Sequence, residues 1–276
     1  MSPITVGVVA RRGPQALQRT LDALSPQVGP DDDVLVVPGP SRAAVRNRLL
    51  EDASAPVVAF LEDGLRPAPR WMDAWRGTFR DEKIEAAAGS FQPRPGRKGE
   101  GGGGGRIRWT GRLESDFTGT RTAVTTLGRG TNFAVRRGPA VEQGGFDEDF
   151  GPADPYGDAE FFLRLAKGGA RTWFVPGARI LDPDPAWRPP GDLPPELRLR
   201  EEALRARWMA ALFARHEVWA LPVMVSSHLL QSVLAVAAGD LPASAPARIF
   251  RELAAGIRAG VVPPASRLTD RKNVKD

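Results

Sequence analysis

Acidic residues sit at two places in the chain with spacings that suit chemistry. The first is the stretch 144–169, GGFDEDFGPADPYGDAEFFLRLAKGG. Asp147, Glu148, Asp149 and Asp154 crowd a loop that follows Phe146. Residues 158–165, DAEFFLRL, then read as a short amphipathic helix closed by Lys167-Gly168-Gly169, since helices favour acids in the first turn and cations plus Gly at the end. Asp158 falls at the helix start, where unpaired backbone N–H groups favour a carboxylate. Phe161, Phe162 and Leu165 form an apolar wall behind it. A carboxylate aimed and shielded in this way suits a general base, with Glu160 and Asp154 next in line. The second place is Glu62-Asp63-Gly64, directly after the apolar run 56–61, PVVAFL. Carboxylates at a strand's carboxyl end can hold Mg²⁺ or Mn²⁺ against a diphosphate, because hard cations take oxygen ligands and substrate phosphates complete their shell. The same residues also fit a plain acidic loop, a capped surface helix and a polar strand end.

The elements that must position these groups alternate. Residues 4–10, ITVGVVA, read as a buried strand, 16–24 as a helix with Leu17, Leu21 and Leu24 on one face, and 33–38, DVLVVP, as a second strand. That is a βαβ unit with parallel strands. Residues 56–61 read as a further strand, 72–79 as a helix, 85–91 as a short strand, 128–137 as a strand entered by a Gly turn, and 172–176 as a strand. Residues 92–105, QPRPGRKGEGGGGG, read as a mobile loop, and 106–127 show no clear period. The expected class is α/β: a mostly parallel sheet flanked by helices, with a C-terminal helical extension.

Taken in order, the motifs resemble family 2 glycosyltransferases over about residues 4–182. Those enzymes carry GGFDE, a variable loop, and a Glu-Asp pair opening a helix that ends in Arg-Leu and Gly. Here Asp158 falls on the Asp of the pair and Gly157 replaces the Glu. Thr20-Leu21 matches their first helix. Ala43, Ala44, Arg46 and Asn47 resemble their Ala-Arg-Asn helix beneath the donor site, although Arg46 and Asn47 also fit a solvated helix face. Gly130, Asn132, Arg136 and Arg137 resemble their Gly-x-Asn-x-x-x-Arg-Arg strand. Glu62-Asp63-Gly64 and the run to Trp71 lie where they have Asp-x-Asp, a proline turn and a Trp. The resemblance implies a GT-A fold, which is Rossmann-like. It implies transfer of a sugar from a nucleotide-diphosphate sugar to an acceptor hydroxyl with inversion, with Asp158 as base. Arg46, Asn47, Glu62, Asp63 and Asn132 would lie on the donor side, and Asp147 and Glu160 on the acceptor side. Mg²⁺ or Mn²⁺ would be held by Asp63, Glu62 and Asp182, the last standing in the place of a family His. Four departures are visible. Pro38-Gly39-Pro40-Ser41 replace Asp-Asp-Gly-Ser, a strand and helix expected before Arg46 are missing, Gly64 replaces the third acid, and Asp182 replaces the His. They keep open a second expectation, a catalytically inactive scaffold or binding protein on the same fold.

Composition narrows the partners. The 276 residues are 42% apolar, enough for a substantial core, and the net charge of +5 comes mostly from arginine. That balance suits nucleotide diphosphates, anionic lipid or nucleic acid. The single Tyr and the lack of interleaved aromatic and basic residues speak against nucleic acid. With no cysteine, disulfides and thiolate metal sites are excluded, which fits a reducing compartment. The N-terminus has no signal-peptide pattern. Residues 1–182 are expected to form the catalytic domain, 183–195 a Pro-rich linker, 196–266 a helical extension and 267–276 a tail. Residues 218–239 carry no formal charge and could span a bilayer by length, yet Pro222, Ser226, Ser227, His228 and Gln231 dilute them. They fit a helix in the membrane interface or one packed on the catalytic domain. Arg248, Arg251 and Arg258 nearby could meet anionic lipid. The expectation is a cytoplasmic protein, peripheral on the inner membrane, acting on a carbohydrate or lipid-linked acceptor in cell-surface polysaccharide or glycolipid synthesis.

Overall fold

The computed structural model describes residues 2–39, 41–92, 103–108, 113–128, 131–150, 156–181 and 194–261. The Gly-rich run, Asp154, Asp182, the Pro-rich segment and the tail fall outside them, wholly or in large part. The chain divides into two compact units. One holds the described residues up to Arg106 and from Glu114 to Leu181. The other holds those from 194 to 261 together with Ile107, Arg108 and Leu113.

The first unit begins with β1 (Ile4–Ala10), α1 (Pro14–Leu24), β2 (Asp33–Pro38), α2 (Arg42–Asp52), β3 (Val57–Glu62), α3 (Trp71–Thr78) and β4 (Ile84–Phe91). It continues with β5 (Gly104–Ile107), β6 (Leu113–Asp116), β7 (Ala123–Val124), β8 (Asn132–Arg136), α4 (Arg137–Glu142), α5 (Gly157–Lys167) and β9 (Arg171–Ile180). Seven strands make one sheet in the order β2-β1-β3-β8-β4-β9-β7, and β5 pairs with β6. β2, β1, β3, β4 and β9 run one way; β8 and β7 run against them. β1 and β3 are continuous apolar runs because helices cover both faces of the parallel half. β8 lies inside the sheet between β3 and β4, so it is not an edge strand. β2 is the edge, and the chain passes from it to α2 through three residues, which accounts for the missing strand and helix. β9 runs on to Ile180, past the expected 172–176, because a bulge after Val175 lets it rejoin β4 at Ser90. The stretch 106–127 contributes short strands whose few residues show no alternation.

One face of the sheet builds an aromatic cluster. Phe60 and Phe133 stack across β3 and β8, with ring centroids 4.8 Å apart. Phe146 lies 5.6 Å from Phe60 and stacks on Phe161 at 4.2 Å, while Phe162 meets Phe133 edge-on at 5.6 Å. α5 is thereby clamped to the sheet by the two rings in its sequence. The turn leading to it is left-handed: Gly144 and Gly145 have φ of 84° and 69°. Their N–H groups close the end of α4 on Val141 O and Ala140 O, both at 2.9 Å. Arg164 of α5 reaches back to Gln143 O and Gly145 O and also pairs with Glu160. The Gly-Gly turn and the later Arg are therefore two halves of one clasp.

The second unit is helical: α6 (Pro195–His216), a 3-10 turn at Val218–Ala220, α7 (Leu221–Ala237) and α8 (Ala245–Val261). α6 and α8 approach closely because Gly256 and Gly260, one turn apart, face it. A Cβ at either would lie 1.9 Å from Arg207 O or 2.3 Å from Ala211 O. On α7 only Met224 and Ser232 are buried, while Val223, Leu230, Val233 and Leu234 are exposed.

Gly145→Ala tests the clasp. An L residue forced into this conformation costs about 1–2 kcal/mol, so the variant should unfold at correspondingly lower urea while Gly138→Ala, in α4 and with open space around its Cα, should not lose stability.

Candidate active site

The carboxyl ends of β2, β1 and β3 lie side by side, the edge of an open α/β sheet where ligands bind. β3 delivers Glu62 to it. The chain after Glu62 is stitched down on two sides. Asp63 N donates to Val9 O at 3.1 Å, Gly64 N to Ala16 O at 3.0 Å, and the Thr20 hydroxyl to Leu65 O at 2.8 Å. On the other side Ala68 N donates to Arg179 O at 2.8 Å and Leu181 N to Arg66 O at 2.9 Å. The end of β9 is thus held beside this loop; Asp182, the next residue, lies outside the described residues.

Both acids here are buried. Asp63 Oδ2 accepts the backbone N–H groups of Arg11 at 3.0 Å and Arg12 at 2.6 Å, which fixes the β1–α1 loop. Asp63 Oδ1 is buried with no hydrogen-bond partner among the described residues. Glu62 is bracketed by two arginines: Arg42 donates through Nε to Oε1 and through Nη2 to Oε2 at 3.4 Å, and Arg12 Nη2 lies 3.5 Å from Oε2. Gly64 has φ of 85°, and a Cβ there would sit 3.4 Å from Arg12 Cδ.

Asp158 stands in the first turn of α5, after Gly157 and the N-cap Tyr156, and is half-buried. β9 starts at the opposite edge of the sheet, so α5, which precedes it through a short turn, runs from the carboxyl edge back to the amino edge. Its first turn is therefore directed to the edge that carries Glu62 and Asp63. Gly157, Ala159, Phe161 and Phe162, its neighbours in α5, are buried. Asp147 is buried at the start of the loop toward α5.

Four residues assigned to donor or acceptor contacts do other work. Arg46 is 1% exposed, with its guanidinium 5.4 Å from the Phe133 centroid and 5.2 Å from that of Phe146. Asn47 grips the Phe146 backbone in both directions, accepting from its N at 2.7 Å and donating to its O at 2.9 Å, and also donates to Glu148 at 3.0 Å. Neither is on a solvated face. Asn132 is fully buried: it accepts from Trp71 Nε1 at 2.9 Å and donates to Ser90 O at 3.0 Å and Ala178 O at 2.8 Å, pinning the β9 bulge. Glu160 is also fully buried, against Arg164. These residues brace the site from inside: Asn47 and Asn132 through backbone groups, Glu160 through Arg164, and Arg46 against two rings. Conversely, Arg12 and Arg42 were not singled out from the sequence. Their signal was position, each standing just beyond the end of a parallel strand.

No group of three or more His, Asp or Glu side chains able to hold a metal ion occurs among the described residues. Glu62 is engaged by guanidinium groups. The orphaned Asp63 Oδ1 is the observation that fits a hard cation.

No protein-family profile matches the chain, and no curated protein matches it in sequence. Solved structures do. The chain is similar to GalNAc-T7 with UDP, GalNAc and Mn²⁺, with a TM-score of 0.59 and 15% identity, covering 78% of this chain and 48% of that one. It is also similar to the mannosyltransferase PcManGT from Pyrobaculum calidifontis in complex with GDP-Man and Mn²⁺, with a TM-score of 0.53 and 15% identity, covering 94% of this chain and 86% of that one. The chain spans about half the length of the first. At this identity the likeness establishes the fold: a mixed α/β sheet flanked by helices, that of GT-A glycosyltransferases.

The brace assignment is open to direct measurement. Asn47→Ala leaves the buried N–H and C=O of Phe146 without their partner, at about 1–3 kcal/mol for each group. Thermal unfolding should show that loss, whereas an exposed substrate contact would leave stability near that of the parent.

Proposed function

We propose that this chain is a nucleotide-sugar-dependent glycosyltransferase, a divergent relative of family 2, acting with inversion. The observation that supports the reading is the GT-A sheet itself, with Glu62 and Asp63 at the carboxyl end of β3 and Asp158 in the first turn of α5. The acceptor is a carbohydrate or lipid-linked hydroxyl. Its oxygen attacks the anomeric carbon, the bond from that carbon to the diphosphate oxygen breaks, and Asp158 takes the hydroxyl proton. The helix start orients Asp158. Positioning and charge stabilisation provide the remaining acceleration. The Mn²⁺ of both solved structures supports a divalent cation, Mg²⁺ or Mn²⁺, which Asp63, with its orphaned Oδ1, would hold and to which the motif resemblance would add Asp182. When bound, such an ion neutralises charge on the leaving diphosphate.

Turnover with UDP-, GDP- and TDP-sugars, with and without Mn²⁺, is the test. Asp158→Asn keeps size and hydrogen-bonding reach but cannot take the proton. It should lower kcat by about 10²-fold or more and leave donor KM nearly unchanged. Near-normal kcat in this variant would place the base elsewhere. A second reading, an inactive relative serving as scaffold, is favoured by Pro38-Gly39 and Gly64 standing where acids are expected. A folded parent chain without turnover on any donor would select it.

We further propose that the helical unit works at the cytoplasmic face of a membrane, which suits an acceptor in surface polysaccharide or glycolipid synthesis. Val218–Ala237 is 20 residues long and uncharged, so it extends about 30 Å if helical throughout, close to a hydrocarbon core. Val218, Trp219, Val223, Leu230, Val233 and Leu234 are exposed along it, and Arg248, Arg251 and Arg258 on α8 suit anionic headgroups. The full chain should co-sediment with phosphatidylglycerol vesicles, and Val223→Asp with Leu230→Asp should abolish it. A parent chain that stays in the supernatant would rule the membrane out.

A further inference from the structure

The two edges of the main sheet end differently. On one side the last strand, β7, has two residues. On the other it is β2, with six, an ordinary strand length. β2 pairs with β1 from Asp33↔Thr5 to Pro38↔Ala10 without a register shift, so no bulge turns it away. Its middle, Val34 to Val37, carries no charge, Gly or Pro. Val36 is 37% exposed and Val34, Leu35 and Val37 are half-buried, whereas β3 is buried throughout. The chain leaves β2 for α2 through three residues, too few to fold back as a covering strand. Among the described residues nothing pairs with the outer edge of β2. Such an edge is a template for another strand.

Pro38 sets which backbone groups look outward. It has no N–H to give β1, so it belongs to the outward-facing set, and Val34 and Val36 join it by alternation. Across a two-fold axis normal to the sheet, an antiparallel second β2 must bring one residue opposite itself, because opposed side chains share a face. With Val36 opposite Val36, each exchanges its N–H and C=O with the other. Each Val34 N–H then reaches a Pro38 carbonyl, the one backbone group Pro38 can offer. Charge decides the direction. Asp31 and Asp33 are exposed at the amino end of β2, and the Ser54 hydroxyl donates to Asp33. Asp32 between them is spent internally, accepting from Ile4 N at 3.0 Å and Gly29 N at 2.7 Å and pairing with Arg76. At the carboxyl end Arg11, the residue after β1, is exposed. A parallel copy would set acid against acid. In the antiparallel register Asp33 lies opposite Gly39 of the second copy, two strand spacings, about 10 Å, from that copy's Arg11. This is about one screening length at ~0.1 M salt, so the end charges set direction and approach more than affinity.

We propose that β2 is a dimerisation edge: a second copy of this chain adds its own β2 antiparallel to the first, centred on Val36, and joins the two sheets into one. The occupant is the same chain because the strand complements itself in hydrogen bonding, in apolar side chains and in the charges at its two ends. The carboxyl edges of the two copies point in opposite directions, so each copy keeps its own. This holds whether or not the chain is a glycosyltransferase.

The experiment is analytical ultracentrifugation of the full chain at micromolar concentration, joined to cysteine cross-linking. The parent should sediment at twice its 29.7 kDa and fall toward the monomer on dilution. Val36→Lys, which sets two cations opposite each other on an edge, should be a monomer with parent-like thermal unfolding, while Val36→Thr should keep the dimer. The chain has no cysteine, so a single introduced one reports the register. Val36→Cys should cross-link to itself under mild oxidation, because opposed Cα atoms about 5.5 Å apart suit a disulfide. Val34→Cys, which stands opposite Pro38 of the second copy, should not. Arg11→Glu should raise the dimer Kd about threefold, and Asp31→Lys with Asp33→Lys in the same chain should restore it. A monomeric parent would overturn the proposal. So would a dimer that survives Val36→Lys, which would place the interface elsewhere, with the exposed face of α7 the next surface to test. Should Val36→Lys fail to fold, the two cysteine variants decide: cross-linking by Val34→Cys as fast as by Val36→Cys would also overturn it.

Discussion

Much of the carboxyl edge of the sheet depends on how Phe146 is held. Its ring is stacked on Phe161 and flanked by Phe60 and Phe133, and its backbone N–H and C=O are both taken by Asn47. Arg46, the residue before Asn47, lays its guanidinium against two of the same rings. One aromatic residue thereby joins α2, the central strands and the start of the loop toward α5. Burying a guanidinium is costly unless something compensates, and the negative faces of two rings do so here. Fixing this point sets where the acidic loop begins, and the aromatic pair on α5 sets where it ends. Asp158 then has little freedom in where it stands.

Six of the seven strands of the main sheet, all but β7, and most of its helices were legible because their patterns are local: β-branched runs, a helical repeat, glycines at turns. Asp158 at a helix start and Glu62–Asp63 at a strand end were legible for the same reason. What could not be read was which polar residues face inward. Arg46, Asn47, Asn132 and Glu160 have the residue types of a binding site, but their partners are backbone groups and rings distant in sequence. Asn47 meets Phe146 across 99 residues and Asn132 meets Ala178 across 46. No spacing rule reports such a pairing. The Arg12–Glu62–Arg42 cluster was hidden in the same way, since its members meet only when three strands lie side by side.

The short motifs of the chain therefore carry two kinds of information. Gly144-Gly145, Arg164, Thr20 and Asn132 secure turns, loops and a bulge, and their chemistry is spent within the protein. Asp63 and Asp158 remain on the open edge. A resemblance built on both kinds conveys architecture more firmly than activity, which agrees with solved structures at 15% identity that share the fold over most of this chain.

The left-handed Gly64 beneath the Arg12 stem has a consequence for descent. Restoring an acid at position 64 would not by itself recover a three-carboxylate edge. The new side chain would be strained by the left-handed backbone, while its Cβ would stand in ordinary contact with Arg12 Cδ at 3.4 Å. Shortening Arg12 alone would leave Glu62 without one of its two partners. Position 64 is therefore constrained by its own backbone, and a side chain of any kind there requires the loop after Glu62 to change conformation.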